Sequence, residues 1–501
     1  RRRRRTSAFG HDAPAAVTTP APPGDAPHAA AAPATPGGVW RDDARHITSL
    51  AWPVLVGQLA VLGFATVDTI LVGRHASSDL AAFAVGAATY ITVFIGLMGV
   101  VLAIGPIVGQ MYGAKRLHEA GHQLHQGVWL AIVLSVLGSG LLAFPAPFLA
   151  LAHATPEMAD KIRGYLLALA LALPASLLFT VYRGFNTAVS RPKAVMVLQL
   201  GGLALKVPLS ATLIAGVPAL GVPALGVTGC GLSTLIAIWA QLLAAVVVLR
   251  RDPFYDRFAL RGHRLAPPHR ASLLALLRLG VPMGLTILIE VTGFAFMAIF
   301  IARLGTTPVA GHQIAANLVS MMFMMPLALS NATSTLVAQS IGANQLRAAR
   351  RLGWHGLQVT MAMAAGVGAL VFLTREAIVG LYTRDAAVAA AALSLLSWVA
   401  LFHLGDALQT FSQFVLRAWR ITVISLVVFA LAMWGLGLGG GFVLAFNVWG
   451  ITPAPWRSAT GFWIASTAGL WSAGVVLTAF LLWMQSQRLH GPEDPAIKPA
   501  T

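Results

Sequence analysis

Charge is scarce in this chain. Asp, Glu, Lys and Arg make up 10% of its 501 residues against 57% that are hydrophobic, and Cys230 is its single cysteine. A lone thiol excludes an intramolecular disulfide, and its place in an apolar stretch makes it a packing residue. Reaction motifs are missing as well: there is no paired metal-ligand spacing, no GxxxxGK[ST] phosphate loop and no GxSxG turn. The chain therefore reads as a non-enzyme without a cofactor, and with no nucleotide site the energy for any transport has to come from an ion gradient. Acids are the scarcer sign, 17 against 34 Lys and Arg, for a net charge of +17. The basic residues fall in short tracts between apolar stretches rather than along one solvated face, which excludes nucleic acid as the partner.

What the chain has is apolar length, with a mean hydropathy of +0.76. That is far more apolar surface than a soluble domain buries, so the lipid bilayer is its solvent. Stretches of roughly 20 or more residues can cross a hydrocarbon core of about 30 Å. Twelve are expected, near 47–72, 80–104, 123–149, 160–184, 193–215, 227–249, 276–301, 308–331, 354–378, 388–414, 421–447 and 459–485.

The chain also repeats itself. At an offset of 229, Leu50 to Arg191 overlays Leu279 to Arg420 without a gap: Pro53 falls on Pro282, Arg74 on Arg303, Phe185 on Phe414 and Arg191 on Arg420. GPIVGQMYGAKRL at 105–117 overlays STLVAQSIGANQL at 334–346. The expected fold is an all-α integral membrane protein, twelve transmembrane helices in two pseudo-symmetric six-helix bundles. Two such halves can rock about a midplane site between them, which is the architecture of a transporter. The domains expected are a disordered cytoplasmic tail over 1–45, a bundle over 46–250, a cytoplasmic linker over 251–275, a second bundle over 276–488 and a cytoplasmic tail over 489–501.

Alternating the loops puts Lys115, Arg116, Arg191, Lys193, Arg250, Arg251, Arg257, Arg261, Arg264, Arg270, Arg347, Arg350, Arg351, Arg420 and Arg488 on one side, against Arg74, Lys161, Arg163, Arg303, Arg375, Arg384 and Arg457 on the other. The positive-inside rule makes the first side, with both termini, cytoplasmic. The first 45 residues are rich in Ala and Pro, lack the apolar core of a secretory signal and cannot pack. They open on five arginines without an initiator Met, which fits a displaced or truncated start better than a functional tag.

Intramembrane polar groups are costly and invite a functional reading. Asp68 stands in FATVDTILVG, Lys206 in GGLALKVPLS, Glu290 in LTILIEVTGFAF and Asp406 in LFHLGDALQTF. His403, Asp406, Thr410 and Gln413 recur at helical spacing and share one face. A carboxylate kept from water there takes up a proton or holds a bare cation, so Glu290 and Asp406, if they meet, form an exchangeable site. The alternative is that each acid only bonds a neighbouring backbone and holds helices together. Lys206 can reach Asp68 and neutralise it as a structural pair, or move aside as a gate; both readings stand. Gln313 and Asn317, with His312 and Ser320, precede the run MMFMM at 321–325, whose soft side chains suit varied organic shapes or simply fill gaps.

LAWPVLVGQLAVLGFATVDTILVGRHASSDLAAFAVGAATY, GPIVGQMYGAKR, GVTGCGLSTLIAIWAQLL, LGVPMGLTILIEVTGFAF, VAGHQIAANLVSMMFMMPLALS and VLRAWR together resemble the multidrug and toxic compound extrusion (MATE) family, in its bacterial NorM-like branch, over roughly 45–488. The resemblance implies a multi-pass protein of the bacterial inner membrane exporting cationic amphipathic compounds in exchange for Na+ or H+; a monomer is expected. By position it implies an amino-half acid at Asp68 and a coupling pair at Glu290 and Asp406, the ligands of the metal ion where that ion is Na+. Two departures stand out. Phe402 holds the place one turn before the aspartate where Tyr is frequent in that branch, keeping a ring for a cation but no phenol oxygen. Lys206 takes a place of neutral polar residues, which speaks against an amino-half metal ion. The rival functions are a flippase for lipid-linked glycans, which needs basic groups at its aperture, and a non-transporting membrane receptor or scaffold, which tolerates neutral residues at both acids.

Overall fold

From Pro36 to His490 the chain is helix after helix, because neither the hydrocarbon interior nor the sequence offers the backbone another way to satisfy its polar groups. The structure is a computed structural model and describes residues 36–151, 155–218, 221, 223–260 and 265–490, among which there is no strand. The spans are α1 (Pro36–His75), α2 (Ser77–Gly113), α3 (Leu117–Ala143), α4 (Pro156–Ala188), α5 (Pro192–Ala215), α6 (Gly226–Arg251), α7 (Arg270–Ala302), α8 (Thr306–Gly342), α9 (Leu346–Tyr382), α10, α11 (Val423–Ala445) and α12 (Ala459–His490). Span α10 is a pair, Ala386–Leu396 and Val399–Ala418, bent by 46°. Eleven helices are long and apolar enough to cross a membrane, and the bent pair makes the twelfth.

Local chemistry explains where the helices start and stop. Thr155 and Asp385 cap α4 and α10 with side-chain oxygens, and Pro156 and Pro192 sit where a missing N–H costs nothing. One expected boundary moves, and the expected linker proves to be packed. The 1–45 tail is expected to lack structure, yet α1 begins at Pro36: buried Asp43 accepts from Arg351 Nε at 3.0 Å and pairs with His355 Nδ1 at 2.7 Å, which fixes the early turns; residues 1–35 lie outside the described residues. Within the 251–275 linker, Pro253–Phe258 forms a 3-10 turn with Tyr255 and Phe258 fully buried, Tyr255 donating to Asn186 Oδ1 at 2.6 Å. The linker thus packs under α4, and residues 261–264 lie outside the described residues.

The internal repeat is real in three dimensions but slips by one residue. Lys115 and Asn344, 229 apart, both turn through φ near 60° after α2 and α8. The next matched turn is Ser190 and Arg420, at φ 60° and 59°, which are 230 apart. The hydrogen bonds agree: Ser190 N donates to Thr187 and Arg191 N to Asn186, as Arg420 N does to Arg417 and Ile421 N to Leu416. The matching caps Thr155 and Asp385 are also 230 apart, so the extra residue enters between Leu346 and Asp385. The gapless overlay through Arg191 and Arg420 is corrected accordingly.

Within residues 43–501 the halves meet along one end of the spans. Ile47 and Ala51 of α1 pack into the core of the second half with Ala328, Leu329 and Ala332 of α8. Leu276, Leu279 and Met283 of α7 pack into the core of the first half, whereas Met297 and Ile301 further along α7 join the second. Spans α2 and α8 cross at their ends, where a Cβ on Gly113 would stand 1.8 Å from the Gln339 carbonyl oxygen and one on Gly342 equally close to that of Gln110. Only glycine allows that approach.

Candidate ion-coupling site

Span α10 owes its burial to its bend. After the break at Ser397 and Trp398 the helix Val399–Ala418 turns inward, and Phe402, His403, Asp406, Gln409, Thr410, Gln413 and Arg417 are all buried. A helix this polar lies in the interior because α8, α9 and α12 surround it. Glu290 of α7 lies within electrostatic range of Asp406 on α10. Among the described residues neither makes a hydrogen bond or an ion pair. Gluing of helices by these two carboxyls therefore finds no support in the geometry.

Sequence reasoning missed the cation beside them. Arg417, 4% exposed, donates from Nη2 to Gln413 Oε1 at 2.5 Å, lies 4.4 Å over the Phe414 ring and interacts with Glu290. The signal was an Arg inside VLRAWR, just past the expected end of the span, where it passes for a loop charge. A second interior arginine, half-buried Arg183 of α4, donates to Met98 Sδ at 3.4 Å and has no carboxylate partner among the described residues. By residue type the Glu290–Asp406–Arg417 group sets two acids against one base.

Trp434 shapes the same place. Residues Leu431–Gly439 of α11 form a π-helix, a form that concentrates at functional sites. From it Trp434 Nε1 donates to the carbonyl of Ile289, the residue before Glu290, at 3.2 Å, and its indole lies against Gly293.

The remaining expected residues divide. Phe402 stacks among aromatics, 6.2 Å from Phe294 and 5.1 Å from Trp463, whose Nε1 donates to His312 Nδ1 at 3.2 Å. His403 is fully buried with neither ring nitrogen partnered among the described residues, and Gln413 Nε2 is likewise unpartnered. Thr410 donates to Gln409 Oε1 at 3.2 Å. Gln313 and Asn317 lie on an exposed face of α8, where Asn317 Oδ1 accepts from the Tyr382 hydroxyl at 2.8 Å, and no hydrogen bond ties them to the acids. Met321 is exposed while Met322 is buried, so the methionine run has no single face.

Asp68 and Lys206 do meet, in the other half and away from these groups. Lys206 Nζ lies 2.9 Å from Asp68 Oδ1, with Lys206 fully buried and Asp68 6% exposed. Nζ also donates to Thr234 Oγ1 at 2.5 Å and Ser233 Oγ at 3.5 Å, while Ser210 Oγ donates to Asp68 at 3.4 Å.

Known proteins share this plan. The MatE family profile matches residues 53–212 and 282–443. "Probable multidrug resistance protein NorM" of Aromatoleum aromaticum is 40% identical over 444 residues, 89% of this chain and 94% of that protein. "Multidrug resistance protein NorM" of Vibrio cholerae is 34% identical over 451 residues, 89% of this chain and 97% of that protein. Among solved structures, the eukaryotic MATE transporter AtDTX14 superimposes with a TM-score of 0.80 at 18% identity, covering 90% of this chain and 98% of that one. An outward-facing multidrug resistance MATE family transporter gives 0.79 at 17% identity, covering 90% and 97%.

Proposed function

The chain belongs to the MatE family of multidrug efflux transporters, and from that premise we propose that Glu290, Asp406 and Arg417 form the coupling site of an antiporter that exchanges Na+ or H+ for organic cations. The observation that carries this reading is two interior acids set against a single base, on α7 and α10, with both carboxyls free of ion pairs among the described residues; with both acids ionised the group holds one negative charge in excess. One monovalent cation or proton neutralises it. Binding then favours one arrangement of the halves over another, and a ligand shifts such an equilibrium only by its differential affinity. Each cation moving inward adds about 2.3 kcal/mol per 100 mV of membrane potential, to which its concentration gradient adds.

The seam formed by α1, α2, α7 and α8 lies at the end of the spans that carries the excess of Lys and Arg in the loops, the cytoplasmic side by the positive-inside rule. Read that way, both termini face the cytoplasm of a bacterium and the present conformer is sealed inward. His403, Thr410 and Gln413, buried around Asp406, complete the polar face that cargo or a proton reaches after the ion leaves. Neither the glycan flippase nor the receptor or scaffold is favoured, since the coupling group pairs two acids with one base and the relatives are named for drug resistance.

The test is efflux of a cationic dye from proteoliposomes under separately imposed Na+ and pH gradients. One gradient should drive efflux, and E290Q and D406N should each abolish that drive. Efflux that is undiminished in both variants would refute the assignment.

A further inference from the structure

Lys206 stands where a free ion would be expected to bind. Its ammonium is surrounded by oxygens from two helices: Asp68 Oδ1 of α1 at 2.9 Å, and Thr234 Oγ1 at 2.5 Å and Ser233 Oγ at 3.5 Å from α6. Span α5 adds Ser210, whose hydroxyl contacts Asp68 at 3.4 Å and Ser233 at 2.7 Å. The protons of Ser233 and Thr234 are committed elsewhere, both hydroxyls donating to the Cys230 carbonyl at 2.7 and 3.1 Å. Their lone pairs are therefore turned toward Nζ, as they would be toward a metal ion. One face of Phe64 lies 5.4 Å from Nζ and adds its own attraction for positive charge. One carboxylate and a set of hydroxyl oxygens is the donor chemistry of a hard monovalent cation, not of a transition metal.

We propose that the Lys206 ammonium is a tethered cation that permanently occupies this oxygen-lined site, so that the amino half takes up no free ion and the antiporter couples through the carboxy half alone. The consequence for stoichiometry rests on the coupling reading above; the occupancy itself rests on this network. It follows that removing the amine opens a site for a small primary ammonium ion or Na+. The halves are then chemically unlike despite their repeat, since Asp68 overlays Met297 and Glu290 overlays Val61 at the 229 offset. A built-in cation also resolves the cost of a buried carboxylate, because an ion pair is retained at low cost only where every donor and acceptor is satisfied.

The experiment is thermal unfolding of the purified full-length protein titrated with n-propylammonium, which replaces the atoms that Lys206→Ala deletes. K206A should show a saturable rise in Tm with n-propylammonium that the parent and D68N/K206A lack, and in the E290Q/D406N background K206A should show one with Na+ as well. Tetramethylammonium, which carries charge but no N–H, should leave K206A unchanged. The ammonium response should persist in an E290Q/D406N background, which separates this inference from the coupling assignment. Absence of a saturable n-propylammonium response in K206A, or an equal one in D68N/K206A, overturns the proposal. Should K206A fail to fold, K206S, which empties the same space, is the second variant. The parent lysine in the E290Q/D406N background gives an independent reading: its Na+ response should be absent, and a saturable one that D68N removes would overturn the tethered cation.

Discussion

Gln110 and Gln339 perform the same act from opposite halves: the Nε2 of Gln110 donates to the Ala418 carbonyl at 2.8 Å, and that of Gln339 donates to the Ala188 carbonyl at 2.8 Å. Each amide thus ties the end of α2 or α8 to the end of the span that closes the opposite half. The pair stands beside the glycine crossing, so the seam is made of backbone in contact with backbone and is latched on both sides. Such a contact is either made or broken, which suits a rocking transporter better than a graded one.

Alanine at Gly113 or Gly342 should keep that seam from closing. The added methyl would overlap a carbonyl in the helix across the interface, and overpacking of this kind costs about 1–3 kcal/mol. The sealed state should lose population by roughly tenfold or more, since about 1.4 kcal/mol is tenfold. Distances between spin labels across the seam should shift to the open range in G113A and G342A alike, and dye efflux should fall. Gly105, where an added methyl would have nothing within 4 Å, should accept alanine without change. Closure retained in both seam variants would count against the latch.

Much of this architecture was legible in the chain because a bilayer makes hydropathy decisive: apolar length counts the spans and the offset of 229 pairs the halves. The slip to 230 was invisible, since Phe185 on Phe414 and Arg191 on Arg420 are identities that chance supplies once the true register moves by one. The contact of Asp68 with Lys206 was foreseen because a lysine deep in a span has few charged groups to meet. Arg417 was not, because composition does not tell an interior arginine near a span end from a loop arginine. Nor was the π-helix of α11, from which Trp434 reaches the Ile289 carbonyl.

Loss of the Trp434 hydrogen bond should weaken ion binding without touching an acid. W434F keeps a ring against Gly293 but cannot donate to the carbonyl before Glu290. A hydrogen bond of this kind contributes about 1 kcal/mol, so the half-saturating concentration of the coupling ion should rise roughly fivefold with the maximal efflux rate little altered. Ion-dependence curves in proteoliposomes give both quantities. An unchanged midpoint would show that the π-helix does not position Glu290.

Asp252 predicts a pH response outside the membrane. The Phe254 backbone N–H, donating at 2.9 Å, and then the Arg191 guanidinium, at 2.6 Å, hold its carboxyl below the ordinary carboxylate range. A folded-state pKa that is depressed contributes stability above the unfolded value, near about 3.9, and loses it as pH falls through the folded value. D252N should therefore unfold below its parent's Tm at neutral pH and at about pH 5 alike, with the gap closing below about pH 4. A gap that grew on acidification would contradict the assignment.

At the proposed coupling site Arg417 should set how tightly the acids hold their ion, and its removal gives the sharpest sign test of that proposal. The guanidinium competes with the incoming cation for Glu290, so R417Q deepens the negative potential and should raise cation affinity, by about tenfold when one nearby opposite charge is lost. Tighter binding is not better transport: an ion that leaves too slowly arrests the cycle, so the half-saturating concentration and the maximal rate should fall together. E290Q/R417Q, which removes one charge of each sign, should recover ion dependence at Asp406 with a midpoint nearer the parent's. If R417Q instead raises the midpoint, Arg417 holds the carboxylates in place rather than competing for them, and the single excess charge proposed for the site is wrong.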